Sequence, residues 1–346
     1  MTTRRNFLAG AAAAGTALLL SGTKAIADSG RKDIIKPPAL TPGDTIGLIT
    51  PASRLFEAHR TLIEAKEKMQ SLGFKVKTGK NIFKKNGYLA GTIEERAADI
   101  HDMFADDAVQ AIMCIRGGYG SAQLLPHLDY KLIERNPKIL IGYSDVTSLL
   151  IGIHKMTGLI TFHGPVAIST FTEFTKKCFF EVLCETVPSD EIGDPPFEND
   201  SQLTNQVWTY RPGTAEGRLT GGNMTLLQTT LATPYELDTD DSIIFIEEVD
   251  EQPYDLDRML HHFKMAGKFD KCRGVFFNKM KSIKPKGTHS LSMEEIIDNV
   301  FKEYDFPVCA GLPFGHVKEK LTLPIGIKIK LDADKGRIAF LEAAVS

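Results

Sequence analysis

The chain has 346 residues, of which 42% are apolar and 25% are charged, and its formal net charge at pH 7 is -3. A chain of this length and apolar content can bury one large hydrophobic core or two modest ones, so we expect one or two globular domains and exclude a disordered protein. The sequence has no basic stripe interleaved with aromatic residues, which argues against nucleic acid as a partner.

Residues 1–27 have the pattern of an export signal. Arg4 and Arg5 belong to a twin-arginine motif, which is followed by an apolar run to Leu20 and a small-residue site that ends at Ala27. The apolar run is short for a membrane-spanning helix, and no cysteine follows it to accept a lipid. We therefore expect cleavage after Ala27 and a periplasmic protein without a stable membrane anchor.

Apolar runs alternate with helical patterns from residue 40 to residue 187. Four runs have the length and composition of buried strands: 46–50, 74–78, 111–115 and 138–141. Helical spacing of apolar residues separates the first three runs, over 60–72 and 92–104, and a helical pattern follows the fourth. Strands that alternate with helices predict a parallel sheet, so we assign residues 40–187 to one α/β domain.

The turn after the fourth run displays a serine. Gly142 permits a sharp turn, and Ser144 then lies at the tip, with the amide of Asp145 pointing into the same small volume. A nucleophilic serine is exposed in this way at the end of a strand, and the Asp145 amide could stabilise an oxyanion. An ordinary turn whose serine caps the following helix would have the same sequence.

A glycine-rich turn over 116–120 follows the third run. Both turns therefore lie at the carboxyl ends of parallel strands, where open sheets bind their ligands. The spacing does not match a GxGxxG dinucleotide site, so we interpret this turn as one that brings backbone amides toward a substrate. CxxC and HExxH spacings do not occur, and the sequence supports neither a metal site nor a cofactor.

Prolines and polar residues break every periodicity between residues 188 and 213, which we interpret as an interdomain linker. A second domain is predicted over 214–346. It contains a glycine turn at 221–223 and helical patterns over 254–265 and 293–303. Its predicted strands are 242–246, 274–278, 307–311, 321–331 with turns at Pro324 and Gly326, and 337–343.

Two glutamates, Glu247 and Glu248, follow the apolar strand 242–246. A carboxylate at the end of a buried strand is unfavourable unless it is paired, so at least one of them should meet a cation or an imidazole. Alternation along the strand places the two side chains on opposite faces, and only one can reach a shared cleft. Pairing with Arg258 or a lysine is the structural alternative.

A serine nucleophile needs a histidine base and an acid that orients this base. Of the nine histidines, His316 lies on a loop shaped by glycine and proline directly after a predicted strand, as catalytic groups often do. His163, in a loop soon after the serine helix, fits a structural role or a wall of the substrate site. The order Ser144, Glu247, His316 occurs in other strand-turn-helix serine hydrolases.

Six ordered motifs resemble the LD-carboxypeptidases, a family of serine peptidases that includes the microcin C immunity peptidases. The motifs span 116–120, 142–145, 163–165, 221–223, 246–260 and 315–316. The resemblance implies an N-terminal Rossmann-like parallel-sheet domain and a smaller C-terminal α/β domain with the active site between them. It also suggests a homodimer.

Carried over residue by residue, the resemblance implies that Ser144 is the nucleophile, His316 the base and Glu247 the acid that orients it. The family usually has Asp where Glu248 stands. The oxyanion hole would be formed by the amides of Asp145 and of the glycine turn, with Gly118 the preferred residue. Arg116 would bind the terminal carboxylate of the substrate, although a structural salt bridge is an equal use for it.

The expected function is removal of the terminal D-alanine from muramoyl tetrapeptides derived from peptidoglycan, through an acyl-enzyme and without a cofactor. An immunity-type amidase that cleaves a peptidyl-nucleotide antibiotic is an alternative within the family, and Trp208 in the connecting segment could then stack a nucleobase. A periplasmic solute-binding protein is the alternative from another class.

Overall fold

Residues 31–188, 207–280, 283, 287 and 289–346 are described by a computed structural model. The predicted export signal and most of the predicted linker lie outside these residues. Asp33–Ser346 forms one compact unit, and the predicted domain boundaries within it stay a prediction. No described helix is long and apolar enough to cross a membrane.

A six-stranded sheet contains the four strands predicted first. It comprises β1 (Thr45–Ile49), β2 (Lys75–Thr78), β3 (Ala111–Cys114), β4 (Ile139–Gly142), β5 (Thr161–His163) and β11 (Leu323–Ile325). The spatial order is β2-β1-β3-β4-β5-β11, with the first five strands parallel and β11 antiparallel at the edge. The chain order reverses between β1 and β3, which makes their carboxyl ends the topological switch point of the sheet.

A seven-stranded sheet follows in the second half of the chain. It comprises β6 (Trp208–Arg211), β7 (Thr214–Asn223), β8 (Ser242–Glu247), β9 (Gly274–Asn278), β10 (Val308–Leu312), β12 (Lys328–Asp332) and β13 (Arg337–Phe340). Its order is β13-β12-β7-β8-β9-β10-β6, with parallel pairs from β7 to β10 and antiparallel strands outside them. The predicted α/β class is confirmed.

The helices fill the connections between the strands. They are α1 (Ala58–Ser71), α2 (Ile93–Ala105), α3 (Tyr130–Arg135), α4 (Thr147–Thr157), α5 (Glu173–Leu183), α6 (Met224–Thr229), α7 (Pro253–Met265) and α8 (Met293–Phe301), with 3₁₀ turns at Ser121–His127 and Ser144–Val146. The start of α2 is a capping box, as its sequence predicts: the Glu95 amide donates to the Thr92 hydroxyl, and the Thr92 amide donates to the Glu95 carboxylate.

The strand predicted over 321–331 divides into two strands: the predicted turn at Gly326 is found, whereas Pro324, predicted as a turn, lies within β11. Its first part, β11, joins the first sheet, and its second part, β12, joins the second. The break falls at Gly326, whose φ of +106° lies in the left-handed region and whose Cα is so close to His154 that a side chain would overlap the ring. Pro324 is tolerated in β11 because this strand lies at a sheet edge.

The two sheets meet where β7 ends against helix α4. Gly222, with φ of +150°, lies so close to Thr147 that an added Cβ would overlap its methyl group. The Asn223 amide donates to the Thr147 hydroxyl over 3.2 Å. Asn223 pairs with Glu247 in the register of β7 and β8, so this contact fixes the end of β8 relative to the serine turn.

Gly222→Ala should lower the free energy of unfolding by about 2–4 kcal/mol, because it combines backbone strain with an overlap in a packed contact. Gly213→Ala is the matched control, since Gly213 has φ of +121° but open space around its Cα. We expect Gly213→Ala to lower the free energy of unfolding only by the cost of backbone strain, about 1–2 kcal/mol. Urea denaturation of both variants measures the difference, and an equal loss in the two would contradict the packing argument.

Candidate active site

Ser144 follows Tyr143, whose extended backbone continues strand β4. Its φ of 66° places a non-glycine residue in the left-handed region, the strained geometry of an exposed nucleophile turn. Gly142 is not left-handed, but a Cβ there would lie 2.9 Å from the Val146 side chain, so a side chain would obstruct this turn, as the sequence predicts. Among the described residues, the Ser144 hydroxyl makes no helix-capping hydrogen bond.

The glycine turn is packed directly against this serine. A Cβ on Gly117 would lie 2.9 Å from the Ser144 Cβ and 3.1 Å from its Oγ, and 3.3 Å from the Asp145 amide nitrogen. Gly118, the residue preferred for the oxyanion hole from sequence, instead packs its Cα against Ser53 and has φ of +121°. The structure thus brings Gly117, the Ser144 hydroxyl and the Asp145 amide together.

A buried carboxylate fastens the two turns to each other. Asp145 accepts hydrogen bonds from the amides of Gly120, at 3.1 Å, and Ser121, at 2.8 Å, while the Ser121 hydroxyl donates to the Asp145 carbonyl. Burial raises the pKa of Asp145, and these donors together with nearby Arg96 oppose the shift. The backbone amide of Asp145 is therefore held in place by its own side chain.

Arg96 stabilises the glycine turn with hydrogen bonds from the protein interior. Its guanidinium is fully buried and donates to the carbonyls of Pro51, at 2.7 Å, and Gly120, at 2.8 Å. This residue was missed from sequence, because an arginine in an amphipathic helix is ordinarily exposed. The only available signal was its position on a predicted helix that precedes the glycine turn.

Glu247 and His316 form the central contact of the site. The Nδ1–H of His316 donates to Glu247 Oε2 over 2.7 Å, and the Glu247 side chain is fully buried while 23% of the His316 side chain is exposed. Gly315 allows the approach, since a Cβ there, at φ of +70°, would lie 2.7 Å from the Glu247 carboxyl carbon. The imidazole thus keeps its other nitrogen for the cleft.

A second imidazole lies beside the other carboxylate oxygen. His163, which is completely buried, has its Nε2 3.9 Å from Glu247 Oε1. Neither ring nitrogen has a hydrogen-bond partner within the described part of the chain, and aromatic side chains surround the ring: Tyr143, Phe245 and Phe314. Burial alone would raise the pKa of Glu247, but His163 and His316 outweigh it and lower this pKa to about 2.

Glu248 points to the opposite face of β8, as strand alternation predicts. It accepts hydrogen bonds from the Asn223 side chain, at 2.9 Å, and from the amide and hydroxyl of Thr225, both at 2.8 Å. The structural alternative of pairing with Arg258 is not found, since Arg258 contacts Asp255 instead. Glu248 therefore holds the start of α6, and burial raises its pKa.

Arg116 lies at the edge of the site and is half-buried. Its guanidinium donates to the Arg54 carbonyl over 3.3 Å and stacks on Phe56, with Cζ 4.8 Å from the ring centroid. The structural salt bridge considered from sequence is absent, because no carboxylate of the described ranges contacts Arg116. Its burial lowers its pKa without a compensating acid.

The loop that carries His316 is anchored to the first sheet as well as the second. The Lys320 amide donates to the Thr175 hydroxyl over 3.0 Å, and Thr172 donates to Glu319, so the start of α5 binds this loop. Lys320 itself is buried, with its Nζ 5.6 Å from the centroid of the Tyr143 ring.

Metal-binding groups of three or more His, Cys, Asp or Glu do not occur among the described residues.

Both halves of the chain match known domains. Residues 46–164 match the LD-carboxypeptidase N-terminal domain, and residues 216–331 match the LD-carboxypeptidase C-terminal domain. The chain belongs to the LD-carboxypeptidase family. This LD-carboxypeptidase homologue is 39% identical to the probable murein peptide carboxypeptidase of Bacillus subtilis, over 90% of this chain and 95% of the relative.

Two further relatives have solved structures. The microcin C7 self-immunity protein of Escherichia coli is 32% identical over 89% of this chain and 96% of its own length, and its complex with aspartyl sulfamoyl adenosine superposes with a TM-score of 0.80, covering 90% and 100% of the two chains. The muramoyltetrapeptide carboxypeptidase of Oxalobacter formigenes is 27% identical, with a TM-score of 0.71 over 85% and 97%. The protein is therefore a carboxypeptidase of this family, and the solute-binding alternative is wrong.

The depressed pKa of Glu247 predicts an acid-sensitive contribution to stability. The unfolded chain binds a proton near pH 4.5 and the folded chain only near pH 2, so the unfolded state binds more protons between these values and stability falls as the pH is lowered through them. Glu247→Gln removes this titration. The stability advantage of the wild type over the variant should shrink by up to about 3 kcal/mol from pH 5 to pH 2, as measured by urea denaturation.

Glu248→Gln serves as the control for this measurement. Because burial raises the pKa of Glu248, its removal should change the pH dependence in the opposite sense. Parallel pH profiles for the wild type and Glu247→Gln would contradict the assigned pairing of Glu247 with the two histidines.

Proposed function

We propose that the protein is a serine LD-carboxypeptidase that hydrolyses the bond before the C-terminal D-alanine of muramoyl tetrapeptides. The observation that carries this proposal is the 2.7 Å contact between His316 and Glu247, with the His316 ring centroid 4.9 Å from that of Tyr143, the residue before left-handed Ser144. The similarity to murein peptide and muramoyltetrapeptide carboxypeptidases supports the choice of substrate.

In the proposed mechanism, Glu247 holds the His316 ring through Nδ1, and His316 Nε2 accepts the proton of Ser144. The serine attacks the carbonyl that precedes the terminal D-alanine, and His316 then protonates the departing amine. Water, activated by the same imidazole, releases the acyl group from the serine. Because Glu247 stays ionised well below neutral pH, it can stabilise the imidazolium that forms in each step.

The oxyanion of the tetrahedral intermediate would accept hydrogen bonds from the Asp145 amide and from an amide of the glycine turn, with Gly118 the residue predicted from sequence. The packing of Gly117 against Ser144 supports this role for the glycine turn. Each donor of this kind contributes about 3 kcal/mol to the transition state. Arg116 would bind the terminal carboxylate, and it has no competing carboxylate partner in the described structure.

The twin-arginine pattern of residues 1–27 supports a periplasmic location, where intact cell-wall peptides are within reach. Location and the suggested homodimer both stay predictions.

An immunity-type amidase is the second candidate function. The similar self-immunity protein has been solved with aspartyl sulfamoyl adenosine. Trp208, half-buried on the edge strand β6, lies opposite Ala310 of β10, the strand that leads to the His316 loop. A base-stacking role for this indole would favour the amidase.

Incubation with muramoyl tri-, tetra- and pentapeptides, followed by mass spectrometry, tests the proposal. The wild type should remove one D-alanine from the tetrapeptide alone, and Ser144→Ala should lower kcat/KM by roughly 10⁴-fold or more. Ser148→Ala is the matched control, because it removes a buried hydroxyl near the start of α4 that has no hydrogen-bond partner among the described residues. It should leave activity within about 3-fold of wild type.

Intact peptides after treatment with a folded protein that still reacts with a fluorophosphonate would contradict the carboxypeptidase assignment. Cleavage of aspartyl sulfamoyl adenosine by the same preparation would then establish the amidase.

A further inference from the structure

Two loops lie side by side at the switch point of the first sheet. One follows β1 and contains Ser53, Arg54 and Phe56, and the other follows β3 and contains Arg116 and the glycine turn. Crevices at the carboxyl ends of strands where the chain order reverses are the usual ligand sites of open α/β sheets. The proposed function uses Arg116 of this crevice and leaves Arg54 and Phe56 without a role.

Two guanidinium groups share one exposed aromatic ring in this crevice. The Cζ of Arg116 lies 4.8 Å from the centroid of the Phe56 ring and that of Arg54 lies 5.9 Å from it, while Phe56 is 64% exposed. Arg116 also donates to the Arg54 carbonyl, which links the two loops. We call Arg54 and Arg116 the arginine pair.

The arginine pair differs from five other arginines in lacking a carboxylate partner among the described residues. Neither Arg54 nor Arg116 forms an ion pair with any carboxylate of the described residues. Five other arginines each lie within 3.9 Å of a carboxylate: Arg60, Arg211, Arg218, Arg258 and Arg273. The sequence has 44 acidic residues, so partners are not scarce, and the pair is left available for an anion.

Arg116 is also incompletely satisfied. Its Nε is buried and has no hydrogen-bond partner among the described residues. Burying a cation without a counter-ion has a free-energy cost. A bound carboxylate would lower this cost by accepting short, charge-assisted hydrogen bonds.

The pair is close to the nucleophile. Arg116 directly precedes Gly117, which packs against Ser144. On the other loop, the Ser53 hydroxyl accepts a hydrogen bond from the Tyr119 amide over 3.0 Å, and Gly118 packs against Ser53. Both arginines are thus fixed to the turn that lies beside the reacting serine.

We propose that Arg54 and Arg116 together form a clamp for the free terminal carboxylate of the substrate, with Phe56 as an apolar floor for the side chain of the leaving residue. This inference rests on the proposed function and adds the basis of its specificity. Two cations that close the site one residue beyond the scissile bond select a peptide ending in a small residue with a free acid. They disfavour peptides that continue beyond it or end in an amide.

Binding to Ser144→Ala protein tests the clamp without turnover. Isothermal titration would compare a tetrapeptide ending in D-alanine with the same peptide ending in D-alanine amide. Combining Arg54→Ala with Ser144→Ala should weaken binding of the acid peptide about 10- to 100-fold, the loss expected when a hydrogen-bonded charge is removed. Binding of the amide peptide should change less than about 3-fold. Arg54→Lys should retain part of the preference, because a lysine keeps the charge without the fork of donors.

Arg60→Ala is the matched control, since Arg60 lies close by on α1 but already pairs with Glu57 and Glu64. It should leave both affinities unchanged. Equal weakening of acid and amide by Arg54→Ala, or no weakening of either, would overturn the clamp.

Kinetics separate the clamp from the proposed function. Wild-type release of D-alanine together with an unchanged acid-to-amide ratio of kcat/KM in Arg54→Ala would overturn the clamp and leave the function intact. Arg54-dependent binding of the acid without any release of D-alanine would support the carboxylate site and overturn the function. A change of oligomeric state in Arg54→Ala or Phe56→Ala, seen by light scattering, would make the cluster an interface between copies of this chain and overturn the clamp.

Discussion

The close approach of Gly222 to Thr147 is the constraint on which the candidate site depends. It joins the carboxyl end of β7 to the helix that begins three residues after Ser144. Because Asn223 pairs with Glu247 in the neighbouring strand, the same contact fixes the position of Glu247 relative to the Ser144 turn. Two residues more than 100 positions apart in the chain are thereby linked through packed elements.

The site stabilises several buried polar groups that would be unfavourable alone. Glu247 is flanked by two imidazoles, and Asp145 accepts hydrogen bonds from two backbone amides. Arg96 donates hydrogen bonds to two backbone carbonyls. Asp145 and Arg96 are satisfied by these hydrogen bonds, whereas Glu247 Oε1 and both ring nitrogens of His163 have no hydrogen-bond partner among the described residues. Because Glu247 and Asp145 are buried, their electrostatic interactions are stronger than they would be at the surface.

The loop that carries His316 is held by both sheets. His316 follows β10 of the second sheet, and a few residues later the chain enters β11 of the first sheet, where Leu323 pairs with His163. Contacts of Glu319 and Lys320 with the start of α5 add to this anchoring. The His316 loop is therefore fixed at both ends. The arginine pair lies at the switch point of the first sheet, where Arg116 precedes the Gly117 that packs against Ser144.

Much of the fold follows from the sequence alone, because apolar runs, capping residues and the period-2 alternation of strands are local properties. They were sufficient to predict four parallel strands, the serine turn, the opposite orientations of Glu247 and Glu248, and a loop position for His316. Tertiary structure alone decided that Gly117, not Gly118, packs against Ser144, that His163 is buried beside Glu247, that residues 321–331 divide between two sheets, and that Arg54 and Arg116 stack on one ring. Each of these depends on a shift of a single residue or on contacts between distant parts of the chain. A local pattern does not encode such differences, which arise only when the elements pack against one another.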